Sequence, residues 1–163
     1  MNLRVIVADW IVHDGFRCVR PETIVERATG WHLDTAFVEQ RKGDGTKVER
    51  YGTSPKGIAF FDAGGRYIIT VMRADRAKYA SSALWLGTPD ENKETADGTI
   101  TYFGTYSISE ADSSIAIHVV SSSFPNWNGT DQKRFVAIAG EQLTLTVRSS
   151  AGDEVDVIWK RAN

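Results

Sequence analysis

Two tyrosines in the stretch "ITYFGTYSIS" could orient a bound molecule. Tyr102, Gly104 and Tyr106 alternate with their neighbours, so they share one face of a predicted strand. A phenol combines an apolar ring with a hydroxyl that donates and accepts hydrogen bonds. If this face points into a cavity, the two hydroxyls lie over an apolar cup. If it does not, they are ordinary core residues with satisfied hydroxyls.

His118 is the second group with useful chemistry, and it lies in the stretch "SSIAIHVVSS". Ile115, Ile117 and Val119 alternate with it and have the character of a buried set, which favours an outward histidine with a structural role. In a barrel wall the inward and outward faces of the strand can be exchanged, because a polar side chain can point inward to face a ligand. His118 would in that case act as a general base or a hydrogen-bond donor, with Tyr106 as the other group in proton transfer.

Arg73 in "MRADR" is the third candidate, and it ends a predicted strand near a rim. Arg73 and Arg76 could hold a carboxylate or a phosphate in a bidentate manner. Arg73 and Asp75 could equally form a rim ion pair of little energetic weight.

The composition argues against several other kinds of site. The three histidines show no metal-ligand spacing and the single cysteine, Cys18, excludes a cysteine cluster, so we expect no metal. No phosphate-binding glycine loop and no nucleophile elbow occur, so we expect no cofactor. A net charge of -2 without a basic block predicts no nucleic-acid partner. One cysteine suits a reducing compartment, and no apolar run approaches the about 20 residues of a membrane span, so we expect a cytoplasmic protein without a membrane partner.

These candidate residues need strands to position them, and period-two patterns fill most of the chain after residue 30. Eight or nine strand-like stretches follow one another, most of them joined by short turns. The sequence "TPDE" interrupts them with a capping box, in which Thr88 caps a short polar helix and Glu91 reaches back to it. Just upstream, the stretch "YASSALWLG" carries large apolar side chains that we expect to fold back onto the sheet. They are Tyr79, Leu84, Trp85 and Leu86.

A succession of hairpins predicts an antiparallel meander, and a sheet of that many strands either closes on itself or splits. Closure as an up-and-down barrel removes the exposed strand edges, and a β-sandwich is the alternative. We therefore predict a mainly β fold, an up-and-down barrel of eight or nine strands with one or two short helices. The barrel domain is expected to span residues 21–163, after an N-terminal extension at residues 1–20.

Four stretches carry a family resemblance, namely "GWHL", "YGTSPKGIAFFDAGGRYIITVMRADR", "YFGTYSI" and "HVVSSSFPNWNGTDQKRFV". Over about Thr29 to Arg161 the chain resembles the lipocalin-like domain family of small bacterial and fungal proteins, within the calycin group. It departs from the family pattern in one place, because Gly30 and Trp31 are adjacent where one residue usually separates them. The resemblance implies an eight-stranded barrel closed at one end and a small-molecule role linked to secondary metabolism. It implies no established reaction.

Two pairs of large aromatic residues stand where barrel ends are expected. Phe124 and Trp127 lie in the turn-rich stretch "SSSFPNWNGT". They either close one barrel end or border its mouth, where an apolar ligand would meet them. Trp31 and Trp159 belong to the first and last strands, which closure makes neighbours, and we expect both to plug one end of the barrel.

The leading functional hypothesis is binding of a small, largely apolar or amphipathic molecule in the barrel lumen. Its ligand-binding residues would be Tyr102, Tyr106, His118, Arg73, Phe124 and Trp127. The alternative is a cofactor-free cyclase, isomerase or hydratase that acts on a natural-product intermediate in the same cavity, with His118 and Tyr106 as catalytic groups. A third hypothesis is a homodimer in which residues 1–20 add a strand to a neighbouring barrel.

Overall fold

Residues 32–149 and 152–162 are described in the computed structural model of the protein. They form nine β-strands in one antiparallel sheet, one α-helix and one 3-10 turn. In chain order the elements are β1 (His32–Arg41), β2 (Lys47–Val48), β3 (Lys56–Phe61), β4 (Arg66–Met72), α1 (Pro89–Asp97), β5 (Thr99–Ser109), β6 (Ser114–Ser122), the 3-10 turn (Pro125–Trp127), β7 (Asp131–Ala139), β8 (Gln142–Arg148) and β9 (Glu154–Arg161).

The sheet closes on itself because β1 pairs with β9. This pairing runs along both strands, from Leu33 opposite Arg161 to Arg41 opposite Glu154. The remaining long strands are neighbours in chain order, and the two-residue β2 pairs with the end of β1 as a side branch. Eight strands therefore form a closed antiparallel barrel, which confirms the predicted fold.

The two ends of the barrel differ in the length of their connections. One end, here called the hairpin end, carries the tight turns at 62–65, 110–113 and 140–141. The other end, called the long-loop end, carries the connections at 42–55, 73–98 and 123–130. Longer connections leave more chain to cover or uncover the interior, so the long-loop end is where access is easiest to change.

Strand β6 shows how the alternation divides interior from surface. Ile115, Ile117 and Val119 are buried, whereas Ala116 and His118 are exposed. The alternation of apolar residues in the sequence favours this same orientation of β6. Among the described residues, the buried apolar core includes Leu33, Val38, Ala59, Phe61, Tyr67, Ile69, Val71, Tyr102, Ile115, Ile117, Val119, Leu143, Leu145 and Trp159.

Gly104 allows an unusually close approach of two strands. The register between β5 and β6 shifts at Phe103 and Gly104, which marks a bulge. A Cβ atom at Gly104 would lie 1.9 Å from the carbonyl oxygen of His118, so no other residue fits here without moving the backbone. The glycine therefore holds β5 against β6 and keeps Tyr102 and Tyr106 on the inner face.

The predicted capping box of α1 is confirmed. The hydroxyl of Thr88 accepts a hydrogen bond from the backbone N–H of Glu91 (3.3 Å), and the Glu91 carboxylate accepts one from the backbone N–H of Thr88 (2.7 Å). These backbone contacts lower the pKa of Glu91, with the N–H of Ala80 as the strongest contributor. The helix has no buried residue and therefore lies on the surface.

The expectation that the segment before α1 folds its apolar residues onto the sheet is wrong. Leu84 and Leu86 are exposed, and Trp85 is 88% exposed. Polar contacts hold this segment instead, among them the hydrogen bond from the Tyr79 hydroxyl to Asn92 Oδ1 (3.1 Å). The barrel interior is already filled by strand residues, so these side chains find no apolar surface there.

Several expectations concern residues outside the described ranges. They are the N-terminal extension at 1–20 with its strand addition to a neighbour, Cys18 and Trp31. Trp159, the expected partner of Trp31, is fully buried in the core.

Within the described part of the chain, no helix combines the length and the apolar character that crossing a bilayer requires.

Candidate binding site inside the barrel

Six aromatic side chains form a continuous series of ring contacts through the barrel, here called the aromatic column. In order from the hairpin end to the long-loop end they are Tyr106, Phe61, Tyr67, Tyr102, Trp127 and Phe124. Neighbouring ring centroids lie between 5.3 and 6.0 Å apart. Four of the five contacts are edge-to-face, the arrangement that aromatic quadrupoles favour.

The two ends of the column are held differently. At the hairpin end, the Tyr106 hydroxyl donates a hydrogen bond to the backbone oxygen of Asp62 (2.6 Å). At the long-loop end, Trp127 packs against the core from the 3-10 turn, and Phe124 behind it is about half exposed. Trp127 therefore packs over the barrel interior from a loop, as expected for a residue that closes one end. Phe124 lies half exposed at the outer end of the column, where a residue at the rim of the barrel is expected.

Two rings of the column, Phe61 and Tyr106, line a small cavity in the described part of the barrel. This cavity has a volume of about 10 Å³ and lies near the hairpin end. Its lining is apolar apart from one phenol, and consists of Phe61, Tyr106, Ile108, Ile115, Val136, Leu143 and Leu145. Such a volume holds about one water molecule. A larger guest therefore requires side chains to move.

Arg134 is a buried cation in this interior. On β7, Gln132, Arg134 and Val136 share the inward phase, and Arg134 is only 6% exposed. Its guanidinium donates hydrogen bonds to Gln132 Oε1 and to the backbone oxygen of Lys133 (3.2 Å). Among residues 32–149 and 152–162, no carboxylate forms an ion pair with it. A charge in such a place usually has a partner of opposite charge.

Two phenols on β4 and β5 lie within the electrostatic influence of this cation. Burial raises the pKa of the Tyr67 hydroxyl and of the Tyr102 hydroxyl, and the Arg134 guanidinium acts on both in the opposite direction. The Tyr67 hydroxyl is buried and has no hydrogen-bond partner among the described residues. We call Tyr67, Tyr102, Gln132 and Arg134 the interior polar cluster. Together they present N–H and O–H donors in a dry, positively charged environment.

Arg73 lies outside this cluster, at the rim. Its Nε contacts Asp75 Oδ1 (3.1 Å) and its Nη2 contacts Glu94 Oε1 (3.2 Å). Two carboxylates thus already occupy the guanidinium. The neighbouring Arg76 donates to the Thr99 hydroxyl (2.8 Å) and fastens the connection to the sheet.

His118 also lies outside the barrel interior. Its side chain is 47% exposed and its Nδ1 lies 2.9 Å from Asp131 Oδ1 on the outer face. Tyr106 points inward, opposite Ile117. The two groups named for proton transfer therefore face opposite sides of the wall and cannot act on one substrate together.

Of the six residues named from the sequence, the structure brings Tyr102, Tyr106 and Trp127 together in one column, with Phe124 at its outer end. Sequence reasoning missed Tyr67 and the whole polar part of β7. One feature of the sequence indicates that Arg134 points inward: the apolar residues Val136 and Ile138 lie on the same side of the strand.

The family comparison fits this closed barrel with an aromatic interior. Residues 30–162 match the model of the lipocalin-like domain. The chain belongs to the lipocalin-like domain family. This lipocalin-like barrel fold suggests small-molecule binding in general.

Two further comparisons, with curated proteins and with solved structures, add little information about this protein. No curated protein matches this lipocalin-like chain. A redesigned beta barrel of known structure is similar to it with a TM-score of 0.42 and 10% sequence identity, over 85% of this chain and 95% of the other.

Proposed function

We propose that this lipocalin-like barrel binds a small, largely apolar molecule in its interior. The observation that carries the proposal is the interior polar cluster, above all the buried Tyr67 hydroxyl without a partner among the described residues. A buried polar group left unsatisfied costs about 1–3 kcal/mol. A guest that offers it a hydrogen bond recovers this free energy, while the surrounding rings supply apolar contact.

A guest larger than one water molecule requires a rearrangement at the cavity of about 10 Å³ near the hairpin end. Trp127 is the side chain best placed to move, since it sits on a loop and not on a strand. Its ring contacts Tyr102 at 5.3 Å between centroids, so its displacement uncovers the interior polar cluster. We propose Trp127 as the cover of the site and the long-loop end as its mouth.

Two finer points belong to the same proposal. We place the protein in the cytoplasm because its single cysteine suits a reducing compartment. We take secondary metabolites as the source of the ligand on the family resemblance alone.

Native mass spectrometry after gentle purification tests the proposal directly, and we expect a small-molecule adduct that denaturation releases. Trp127→Ala should lower the free energy of unfolding by about 3 kcal/mol and speed the exchange of the adduct, because the cover is lost. Trp85→Ala, at an 88% exposed position, is the matched control and should change neither. No adduct from any growth condition, together with no stabilisation by a library of apolar small molecules, would contradict the proposal.

A further inference from the structure

We infer that the guest of the barrel is a monoanion, a carboxylate with an apolar body, whose charged group binds Arg134. This inference rests on the proposed function and names the class of ligand. It starts from the buried guanidinium, which has two neutral oxygen acceptors and no carboxylate among the described residues.

The first step concerns the charge. Removal of a guanidinium from water has an effective penalty of several kcal/mol, and only an anion at close range offsets it well. The oxygens of Gln132 and Lys133 are neutral, and a guanidinium has more N–H donors than two such oxygens can accept. The planar fork of donors matches the two oxygens of a carboxylate.

The second step concerns the other charged groups near this point. Lys133, next in sequence, is exposed and pairs with Asp112 on the outer face, so it leaves the interior charge unchanged. Tyr67 on β4 and Tyr102 on β5 stay protonated under ordinary conditions, because burial raises the pKa of both. The described interior therefore carries one positive charge, which suits one negative charge on the guest.

The third step concerns the hydroxyl of Tyr67. A protonated phenol is a good donor to a carboxylate oxygen, and this one has no other partner among the described residues. Tyr67 belongs to β4 and Arg134 to β7, with β5 and β6 between them, so the two donors would approach a bound group from different sides. A carboxylate between them satisfies both at once, which a neutral hydroxyl or a methyl group does not.

The fourth step concerns the body of the guest. Val136 and Ile115 line the residual cavity, and they are the neighbours of Arg134 along β7 and across to β6. Beyond them the wall is aliphatic, with Leu143 and Leu145. The atoms attached to the carboxylate therefore meet apolar side chains on this part of the wall, where the described lining residues offer no partner to a second charged group.

The test is isothermal titration calorimetry on the full chain with two acids and their matched alcohols. The pairs are dodecanoate with dodecanol, and phenylacetate with phenethyl alcohol, in a buffer free of carboxylates and below micelle formation. We expect at least one acid to bind about tenfold or more tightly than its alcohol. Arg134→Met should abolish that difference, whereas Arg148→Met, on the outer face of the adjacent strand, should preserve it.

Two further variants guard against trivial loss of folding. Arg134→Lys keeps the charge but not the fork of donors, and should retain part of the preference for the acid. Tyr67→Phe removes one donor and should also lower it in part. The circular dichroism and the urea midpoint of each variant show whether it is folded before the titration.

Each failure has its own meaning. Equal affinity for acid and alcohol overturns this inference and leaves the proposed function standing. A preference for the acid that survives Arg134→Met also overturns it, because the anion then binds elsewhere. If all four probes fail to bind and fail to stabilise the protein, the inference fails, whereas the proposed function is decided separately by the adduct measurement and the library of apolar small molecules.

Discussion

Two arginines on adjacent strands of the same wall face opposite sides of the barrel. Arg134 on β7 points inward and is 6% exposed, with neutral acceptors only among the described residues. Arg148 on β8 points outward, forms an ion pair with Glu154 (2.8 Å) and lies 4.5 Å above the ring of Phe135. The outer arginine has an anionic partner and an aromatic ring beside it. The inner one has no anionic partner among the described residues.

The difference separates structural from functional use of the same side chain. An exposed ion pair contributes little to stability, because water already solvates both charges. A buried cation without an anion lowers stability, so its presence calls for a reason other than folding. Binding sites are the usual place where a protein accepts such a cost. The comparison therefore sets the inner arginine apart from the outer one and supports the proposal that the barrel interior binds a ligand.

The largest expected effect comes from removal of one acceptor of the inner arginine. Gln132→Leu deletes the side-chain oxygen that accepts from Arg134. Hydrogen bonds to charged groups contribute about 1.5–3 kcal/mol, so we expect the free energy of unfolding in urea to fall by that amount. The equivalent substitution on the outer face, Glu154→Leu, should lower the free energy of unfolding by less than about 1 kcal/mol.

A double variant makes this prediction specific to the charge. In an Arg134→Met background, Gln132→Leu should cost clearly less, because no buried cation remains to be satisfied and only the hydrogen bond from Gln132 Nε2 to the Thr130 hydroxyl (3.0 Å) is lost. Arg134→Met by itself should be at least as stable as the original protein without ligand. An equal penalty for Gln132→Leu in both backgrounds would assign the loss to packing and weaken the comparison.

The barrel interior and the outer elements of the fold also differ in how well the sequence predicts them. Strand order and the cap at Thr88 follow from local patterns, since each depends on residues close together in the chain. The direction of β7 does not, because Phe135 and Val136 are both apolar and stand in opposite phases. A charged residue beside Phe135 is normally assigned to the surface, yet here Phe135 lies outside under Arg148 and Arg134 lies inside.

The filling of the interior was beyond the sequence for a different reason. It depends on rings that come from β3, β4, β5 and the 3-10 turn, and their contacts are set by the closure of the whole barrel. The tyrosine face of β5, which the sequence offers as one candidate lining, points inward. Its partner Tyr67 on β4 could be found only once the register placed it opposite Gly104.

A smaller effect is expected from the phenol of Tyr67, which lies within the electrostatic influence of the inner arginine. Burial raises the pKa of Tyr67 above its usual value of 10.0. The folded protein then holds this proton more tightly than the unfolded chain, so the stability that it contributes is present below pH 10 and is lost as the pH rises above it. Tyr67→Phe should therefore reduce the fall in the urea midpoint between about pH 9 and about pH 11.

The same substitution has a second consequence at neutral pH. It removes a buried hydroxyl without a partner among the described residues, so the ligand-free protein should become more stable by about 1 kcal/mol. A loss of stability instead would mean that the hydroxyl has a satisfied structural role. An unchanged alkaline slope would show that the other buried phenols dominate the titration.

The smallest effect is expected at the outer arginine, and it sets the baseline for the comparison. A double-mutant cycle of Arg148→Met and Glu154→Gln should give a coupling energy of about 0–1 kcal/mol, falling further in high salt, because both side chains are partly solvated. Part of any loss in Arg148→Met reflects the ring of Phe135, which the variant Phe135→Leu isolates. A coupling of more than about 2 kcal/mol would place the outer pair on the same energetic scale as the inner arginine. Burial would then no longer distinguish the two, and the case for Arg134 would rest on ligand binding alone.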